Sequence, residues 1–172
     1  TPYNVEKRMT GQRNIPLNEK GIQQGKLAGH VLKKYKIDAA YSSNLDRARD
    51  TLLLALSAAN CHENLRKSDG SWDIRERVEL IEKDTGDFTG HKFKDCPKVQ
   101  AYGRKYDRPL PGGESDKDVV DRISELYFQE ILPMLNEGKT VVISCHSGVK
   151  RAFHVLFKMI GENDFGTIKM PN

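Results

Sequence analysis

The sequence is poor in cysteine and has no long hydrophobic segment. Its three cysteines, Cys61, Cys96 and Cys145, are an odd number without C-x-x-C spacing, a pattern that argues against a disulfide framework and a zinc knuckle. The longest mainly apolar stretch, residues 51–59, falls far short of the roughly 20 residues that span a bilayer. The sequence also shows no signal peptide. Together these absences predict a cytoplasmic protein with reduced thiols and no membrane partner.

No block of like charge stands out either. The chain has 172 residues, of which 37% are hydrophobic and 30% are charged, a composition typical of one globular domain with an adequate core. Lysine and arginine number 28 against 24 aspartates and glutamates, so the formal net charge is +4. Because the basic residues are scattered among acidic ones, this small excess suits an anionic small molecule as well as RNA.

Hydrophobic patterning predicts two strand–helix units. Residues 37–43 and 140–145 have short, strand-like patterns, and each is followed by an apolar helical pattern, at residues 46–59 and 149–160. A strand followed by a helix is the unit from which parallel sheets are built. The sequence therefore predicts one α/β domain over residues 1–172, with a central parallel sheet.

Two further helices are predicted from capping signals and apolar spacing. Asn18 is a suitable N-cap for a helix whose apolar residues keep roughly to one face. These apolar residues are Ile22, Leu27, Val31, Leu32 and Tyr35. Ser115 opens an S-x-x-D capping box, and apolar residues at helical spacing follow it to about Asn136. The intervening residues 65–115 form a polar, irregular insert, whose best strand candidate is residues 78–82.

Two loops that leave the carboxyl ends of predicted strands carry groups suited to phosphate. Arg47 and Arg49 lie in the first turn of the helix after residues 37–43, and His146 ends the second strand, five residues before Arg151. Arginine side chains and helix N-terminal N–H groups both favour oxyanions. A first-turn arginine is usually a solvated surface residue, and a buried histidine is as often structural as functional. Each loop alone is therefore a weak signal.

Five segments in a fixed order strengthen the phosphate interpretation. They are residues 11–21 (GQRNIPLNEKG), Ser43-x-Leu45-x-Arg47-Ala48, Leu80-x-Glu82-x-x-x-Gly86-x-x-x-Gly90, Pro111-Gly112-Gly113-Glu114-Ser115 and His146-x-x-x-x-Arg151. Over nearly the whole chain the sequence thereby resembles the histidine phosphatase (phosphoglycerate mutase-like) superfamily. The resemblance implies a three-layer sandwich, with a central and mostly parallel sheet flanked by helices. It also implies phosphoryl transfer through a phosphohistidine, with no metal and no other cofactor.

The resemblance implies roles for single residues. Arg47 resembles a pocket arginine whose fork can hold two phosphate oxygens. His146 resembles a second pocket histidine, which stabilises the transferring phosphoryl group. Glu82 resembles the general acid, which protonates the leaving alkoxide and then activates the incoming water. The nearby Glu76 and Glu79 do not fit this role, because only Glu82 lies four residues before the first glycine of its motif.

Further residues are implied around the phosphate. Asn4 resembles a phosphate-contacting amide, and Thr10-Gly11 resembles the loop with which mutases of the family bind a substrate carboxylate. Arg151 is expected on the helix behind the pocket, in a supporting role together with Ser147. The implied partner is a small phosphorylated substrate rather than a nucleic acid, and the oligomeric state is left open.

The family's nucleophilic Arg-His-Gly motif is absent from the sequence. Thr1-Pro2-Tyr3-Asn4 fits the continuation of that motif, and the family's last strand has no counterpart after Asn172. We therefore expect an excerpt of a longer polypeptide; the alternative is a protein that has lost its first strand and nucleophile. Cys145 is not expected to replace the histidine, because strand alternation turns it away from His146 as a buried, inert thiol.

Hydrolysis and mutase activity remain alternatives, and we predict hydrolysis. Family mutases carry Glu-Arg-x-Tyr-Gly at the acid, whereas residues 82–86 are Glu-Lys-Asp-Thr-Gly. Only 21 residues separate Gly90 from Gly112, which leaves little chain for a lid that would shield phosphohistidine from water. Thr10 and the basic residues 104–109 favour a mutase instead. A protein without the nucleophile would be a noncatalytic phospholigand-binding domain.

Overall fold

A computed structural model of the chain describes residues 1–96 and 105–165. Within these residues the sheet holds three parallel strands, β1 (Ala39–Ser42), β2 (Ile74–Glu76) and β3 (Val141–Ser144). Their spatial order is β2-β1-β3, so the strand that comes first in the chain lies between the other two. This order places the carboxyl ends of all three strands at one edge of the sheet.

The predicted strands at residues 37–43 and 140–145 are confirmed as β1 and β3, whereas the strand predicted at residues 78–82 is wrong. Val78–Leu80 is a 3₁₀ turn, and β2 lies just before it. β2 has the sequence Ile-Arg-Glu, with a single apolar residue, so hydrophobic periodicity could not reveal it. Leu80 is fully buried, but it is buried from the turn rather than from a strand.

Helices cover both faces of the sheet. The α-helices are α1 (Pro2–Val5), α2 (Glu19–Leu32), α3 (Asp46–Ala59), α4 (Asp116–Leu126), α5 (Leu132–Asn136) and α6 (Ser147–Leu156). Further 3₁₀ turns lie at Glu63–Leu65, Gly86–Phe88, Phe93–Asp95 and Glu162–Asp164. In the described parts of the chain, no helix is long and apolar enough to cross a membrane.

The predicted helices are present, with changes at three of them. α2 ends at Leu32, so Tyr35, the last residue of its predicted apolar face, lies beyond the helix. α3 has the predicted bounds, while the helix predicted at residues 149–160 begins two residues earlier and ends four residues earlier, as α6. The helix predicted to reach about Asn136 does so, but a π-helical segment, Tyr127–Ile131, joins α4 to α5. Apolar spacing of 3.6 residues does not distinguish such a segment from a regular helix.

β1 separates two apolar clusters, because alternate side chains of a strand point to opposite faces. Ala39 and Tyr41 pack with buried residues of α4 and α6 on one face. Ala40 packs with Leu52 and Leu56 of α3 on the other face. The layers therefore follow the order helices, sheet, helices, which confirms the predicted α/β sandwich with a parallel sheet.

α2 packs on α3 mainly through two glycines, and Leu32 is the one residue of the predicted apolar face that packs against the cluster of Leu52 and Leu56. Gly25 and Gly29 are the buried residues of α2, while Leu27 and Val31, from the predicted apolar face, are 62% and 54% exposed. A Cβ on Gly29 would lie 2.7 Å from the carbonyl oxygen of Ala55. The two backbones therefore approach more closely than any larger residue would allow, and the glycines decide which face is buried.

Replacing Gly29 by alanine is expected to lower the free energy of unfolding by about 1–3 kcal/mol. At an exposed helix position the same change would instead stabilise the helix by about 1 kcal/mol, because alanine has a higher helix propensity than glycine. The added methyl group would press on backbone atoms of α3, with the nitrogen of Ala59 only 2.9 Å away. Urea unfolding measures the change. Gln24→Ala, at an exposed site of the same helix, is the control, and equal stability of the two variants would contradict the close helix contact.

Both predicted helix caps are present. The Asn18 side chain accepts a hydrogen bond from the Gly21 N–H at 3.0 Å and begins α2. At α4, Ser115 Oγ accepts from the Asp118 N–H at 3.0 Å, and the Asp118 carboxylate accepts from the Ser115 N–H at 2.8 Å. This capping box fixes the start of α4 and thereby places Asp116 at the edge of the cavity described below.

Candidate active site

The carboxyl ends of β1 and β3 lie side by side, because the parallel register pairs Ser42 with Ser144. Ser43 and His146 follow these strand ends, and both are buried. Ser43 Oγ and His146 Nε2 are 2.7 Å apart, which is a hydrogen-bond distance. The two predicted loops therefore meet. Ser43 lies in one of the sequence motifs without a predicted role, and it holds the histidine ring.

The surroundings of His146 disfavour its protonated form. Burial lowers the pKa of His146 to about 3, and the positive charges of Arg47 and Arg122 act in the same direction. The imidazole is therefore neutral at pH 7. The fixed positive charge of this region comes from arginine.

The lowered pKa of His146 predicts a loss of stability in acid. An unfolded histidine titrates near pH 6.5, so between about pH 6.5 and pH 3 the unfolded chain binds a proton that the folded chain excludes. Between pH 7 and pH 5, the free energy of unfolding should fall by about 2 kcal/mol more in the parent chain than in His146→Gln. Urea unfolding at both pH values measures this difference. Equal losses in the two proteins would contradict a neutral, buried ring.

Arg47 is buried in the first turn of α3, where it donates to two backbone carbonyls. Its Nη1 lies 2.6 Å from the oxygen of Arg13, and its Nη2 lies 3.0 Å from the oxygen of Gly11. Burial lowers the pKa of Arg47, while the negative charge of Glu82 acts in the opposite direction. The guanidinium thereby fixes the loop at residues 11–13 against α3.

The backbone nitrogen of Thr1 also lies near Arg47. Arg49 is turned away and forms ion pairs with Asp46 at 2.5 Å and Asp50 at 3.6 Å. Of the two arginines in this turn, Arg47 is therefore the one that faces the N-terminal segment.

Glu82 lies at the N-terminus of α6, with hydrogen bonds to both carboxylate oxygens. Oε1 accepts from the N–H groups of Lys83 at 2.9 Å and of Gly148 at 3.0 Å. Oε2 accepts from the Ser147 hydroxyl at 3.2 Å. A Cβ on Gly148 would come within 2.5 Å of Oε1, so glycine is needed for this approach. The structure thus brings Glu82 and Ser147, both predicted from the sequence, into direct contact.

The other two glutamates of this segment are engaged elsewhere. Glu76 ends β2 and lies 4.0 Å from Arg49. Glu79 has one buried carboxylate oxygen, Oε2, with no hydrogen-bond partner among the described residues. Neither glutamate lines the cavity beside Glu82. Gln12, whose side chain donates to the backbone oxygen of Glu82 at 3.2 Å, helps to fix the position of the predicted acid.

A cavity of about 540 Å³ opens beside Glu82. The predicted site residues in its lining are Asn4, Thr10, Gly11, Glu82, Ser147 and Arg151. Arg47 and His146 do not line the cavity themselves, but each is joined to a residue that does. Arg47 donates a hydrogen bond to the backbone oxygen of Gly11, and His146 precedes Ser147 in the chain. Arg151 is predicted behind the pocket but lies in its wall, because it follows Ser147 by four residues and shares its face of α6.

Two charged residues without a predicted role form a buried ion pair in the cavity wall. Lys83 Nζ and Asp116 Oδ1 are 2.5 Å apart, and their side chains are 15% and 7% exposed. Because each charge offsets the other, this pair adds little net charge to the cavity wall. Nothing in the sequence pairs these residues, which lie 33 positions apart.

The basic side chains at the cavity include two from the N-terminal segment. Lys7 and Arg8 belong to the lining. Of the basic residues noted at positions 104–109, Arg104 lies outside the described residues, while Lys105 and Arg108 are exposed and do not contribute to the lining. Cations next to the cavity are therefore contributed by a segment that the sequence motifs did not single out.

The described part of the chain offers neither a reactive thiol nor a metal-binding cluster at this site. Burial raises the pKa of Cys145 to about 12, so its thiol stays protonated and inert at neutral pH, as predicted. No group of three or more histidine, cysteine, aspartate or glutamate side chains within residues 1–96 and 105–165 is placed to hold a metal ion.

Known proteins are similar to this chain in sequence and in fold. The family described as the Histidine phosphatase superfamily (branch 1) matches residues 1–172. A 2,3-bisphosphoglycerate-dependent phosphoglycerate mutase from Methylorubrum populi is 36% identical over 158 residues, covering 87% of this chain and 71% of that protein. A mycobacterial glucosyl-3-phosphoglycerate phosphatase, solved with VO3, has a TM-score of 0.77 at 27% identity, covering 98% of this chain and 82% of that one. Mycobacterial hydrolase 1 shares the fold, with a TM-score of 0.82 at 24% identity over 98% of this chain and 79% of that one.

Proposed function

The chain belongs to the histidine phosphatase superfamily, and on this premise we propose that the full-length protein hydrolyses phosphomonoesters of small metabolites through a phosphohistidine. One observation carries the proposal. Glu82 lies in the cavity wall, hydrogen-bonded at the start of the helix that follows His146. A carboxyl group at a phosphate pocket can protonate an alkoxide leaving group, which is the demanding part of cleaving an alkyl phosphate.

The reaction has two steps. In the first, a histidine nitrogen attacks phosphorus, the bond to the ester oxygen breaks, and Glu82 gives its proton to that oxygen. Arg47 and His146 stabilise the charge on the transferring phosphoryl group. In the second, the ionised Glu82 takes a proton from water as the water oxygen attacks phosphorus. The bond to histidine breaks, and inorganic phosphate and a protonated Glu82 remain.

The nucleophile of this proposal is the histidine of an Arg-His-Gly triplet encoded before Thr1. The backbone nitrogen of Thr1 lies near Arg47, so residues joined to it would approach the pocket. Within the described residues β3 pairs only with β1 and is half-buried, so a further strand can pair along its outer edge, next to His146. Reading the coding sequence before Thr1 tests this step. Absence of the triplet would favour a noncatalytic phospholigand-binding domain.

Two features favour hydrolysis over a mutase reaction. The stretch between Gly90 and Gly112 has only 21 residues, which is little chain for a lid that excludes water. Lys83 is engaged by Asp116 instead of being available to a substrate carboxylate. Mutase activity is the second candidate, because the Methylorubrum relative bears that name and Thr10 lines the cavity.

The deciding experiment compares the two reactions in the full-length protein. Phosphate release from p-nitrophenyl phosphate and interconversion of 2- and 3-phosphoglycerate are measured side by side in the presence of EDTA. We expect phosphate release in EDTA and no interconversion above the background. Interconversion that outpaces phosphate release would establish the mutase alternative.

A further inference from the structure

We propose that the transferable proton of Glu82 resides on Oε2, and that Ser147 is the positioning residue that orients it. The proposal rests on the role of Glu82 as the acid of the proposed function. It goes further by assigning the proton to one of the two carboxyl oxygens and by giving the Ser147 hydroxyl a task in the transfer.

The two oxygens of Glu82 have partners of different kinds. Oε1 faces two backbone N–H groups, those of Lys83 and Gly148, at 2.9 and 3.0 Å. A backbone N–H can only donate, so a proton on Oε1 would replace attraction by repulsion and leave a donor without an acceptor. Protonation of Oε1 is therefore disfavoured by the geometry itself.

Oε2 has a partner that tolerates both states of the acid. The Ser147 hydroxyl lies 3.2 Å from Oε2, and a hydroxyl can either donate or accept. It donates to Oε2 when Glu82 is ionised, and it can turn its lone pairs toward Oε2 when that atom carries the proton. Oε2 thus keeps a hydrogen-bond partner in either state.

The partners of the two oxygens also differ in exposure. Gly148, a partner of Oε1, is buried, whereas Ser147, the partner of Oε2, is exposed, and both line the cavity. The carboxyl group is therefore held with Oε1 against backbone N–H groups and with Oε2 toward the exposed Ser147 hydroxyl. As the proton leaves Oε2, the Ser147 hydroxyl donates to the carboxylate that forms. Hydrogen bonds to charged groups are the stronger kind, so this contact gains strength during the transfer.

The test uses Ser147→Ala and Ser147→Thr in the full-length protein, with glycerol phosphate and p-nitrophenyl phosphate as substrates. An alkoxide leaving group needs a proton, whereas nitrophenolate does not. We expect Ser147→Ala to lower kcat/KM, which reports the first step, by about tenfold on glycerol phosphate and by several-fold less on p-nitrophenyl phosphate, so that the ratio of the two values falls. Ser147→Thr keeps a hydroxyl and is expected to restore the rate on glycerol phosphate.

Comparison with Glu82→Gln separates failure of this proposal from failure of the proposed function. If Glu82→Gln lowers kcat/KM mainly on glycerol phosphate while Ser147→Ala lowers it equally on both substrates or on neither, Ser147 has no role in the proton transfer to the leaving group. Failure of Ser147→Thr to restore kcat/KM on glycerol phosphate would have the same meaning. If Glu82→Gln itself lowers kcat/KM equally on both substrates, the acid role of Glu82 is wrong, and the proposed function loses its main support. Thermal unfolding of each variant shows that the fold is retained.

Discussion

Replacing Arg47 by alanine should lower kcat/KM of the full-length protein by about 10³-fold or more, in line with the loss of an arginine that stabilises a transferring phosphoryl group. The variant removes the buried positive charge beside the pocket. It also leaves the carbonyl oxygens of Gly11 and Arg13 without their donor, so the loop before α2 loses its anchor on α3. Both effects act on the same reaction, and initial rates on p-nitrophenyl phosphate measure their sum.

Arg49→Ala is the matched control for this prediction. Arg49 lies in the same helical turn, but its guanidinium pairs with Asp46 and Asp50 at the surface. Surface ion pairs contribute little to stability, so this variant should keep kcat/KM within about twofold to threefold of the parent value. A similar loss in both arginine variants would show that general positive charge, rather than the placement of Arg47, supports the reaction.

Replacing Glu82 by glutamine should lower kcat/KM by about 10² to 10⁴-fold on alkyl phosphates and by less than about tenfold on p-nitrophenyl phosphate. The amide has nearly the same shape as the carboxyl group and can still accept from the N–H groups of Lys83 and Gly148. It carries no acidic proton, so the first step, which kcat/KM reports, should be affected strongly only for leaving groups that need protonation. The second step, in which Glu82 takes the proton of water, is common to both substrates, so kcat is not the quantity compared. Steady-state kinetics on glycerol phosphate and p-nitrophenyl phosphate give the ratio.

The control is Glu76→Gln, which changes a glutamate of the same segment that lies outside the cavity lining, near Arg49. This variant should leave the rates on both substrates within about twofold of the parent values. An unchanged ratio of the two substrates in Glu82→Gln would remove Glu82 from the acid role.

Local signals in the sequence predicted much of the fold, because caps and strongly apolar elements depend on neighbouring residues. The capping box at Ser115 and the N-cap at Asn18 are examples, since each needs only a donor and an acceptor three residues apart. β2 was not predictable in this way, because its position at the side of β1 is decided by tertiary pairing. The buried face of α2 was hidden for a related reason: Gly25 and Gly29 carry no apolar signal.

The candidate site also combines features that local sequence indicates with features that only tertiary contacts decide. Glu82, Arg47 and His146 could be singled out because each belongs to a short motif that resembles the histidine phosphatase superfamily, and their roles stay predictions. The bond between Ser43 and His146, and the ion pair between Lys83 and Asp116, join residues that are 103 and 33 positions apart. Such contacts depend on how strands and helix ends are arranged in the folded chain. They cannot be predicted from hydrophobic periodicity or motif spacing in a single sequence.

The measurement that tests the central claim most directly is a rapid acid or base quench of the full-length protein during turnover of a radiolabelled phosphate ester, in EDTA. Phosphoryl transfer through histidine predicts a covalently labelled protein whose label survives in base, is lost in acid and decays at the rate of turnover. Turnover without such a labelled protein would contradict the account.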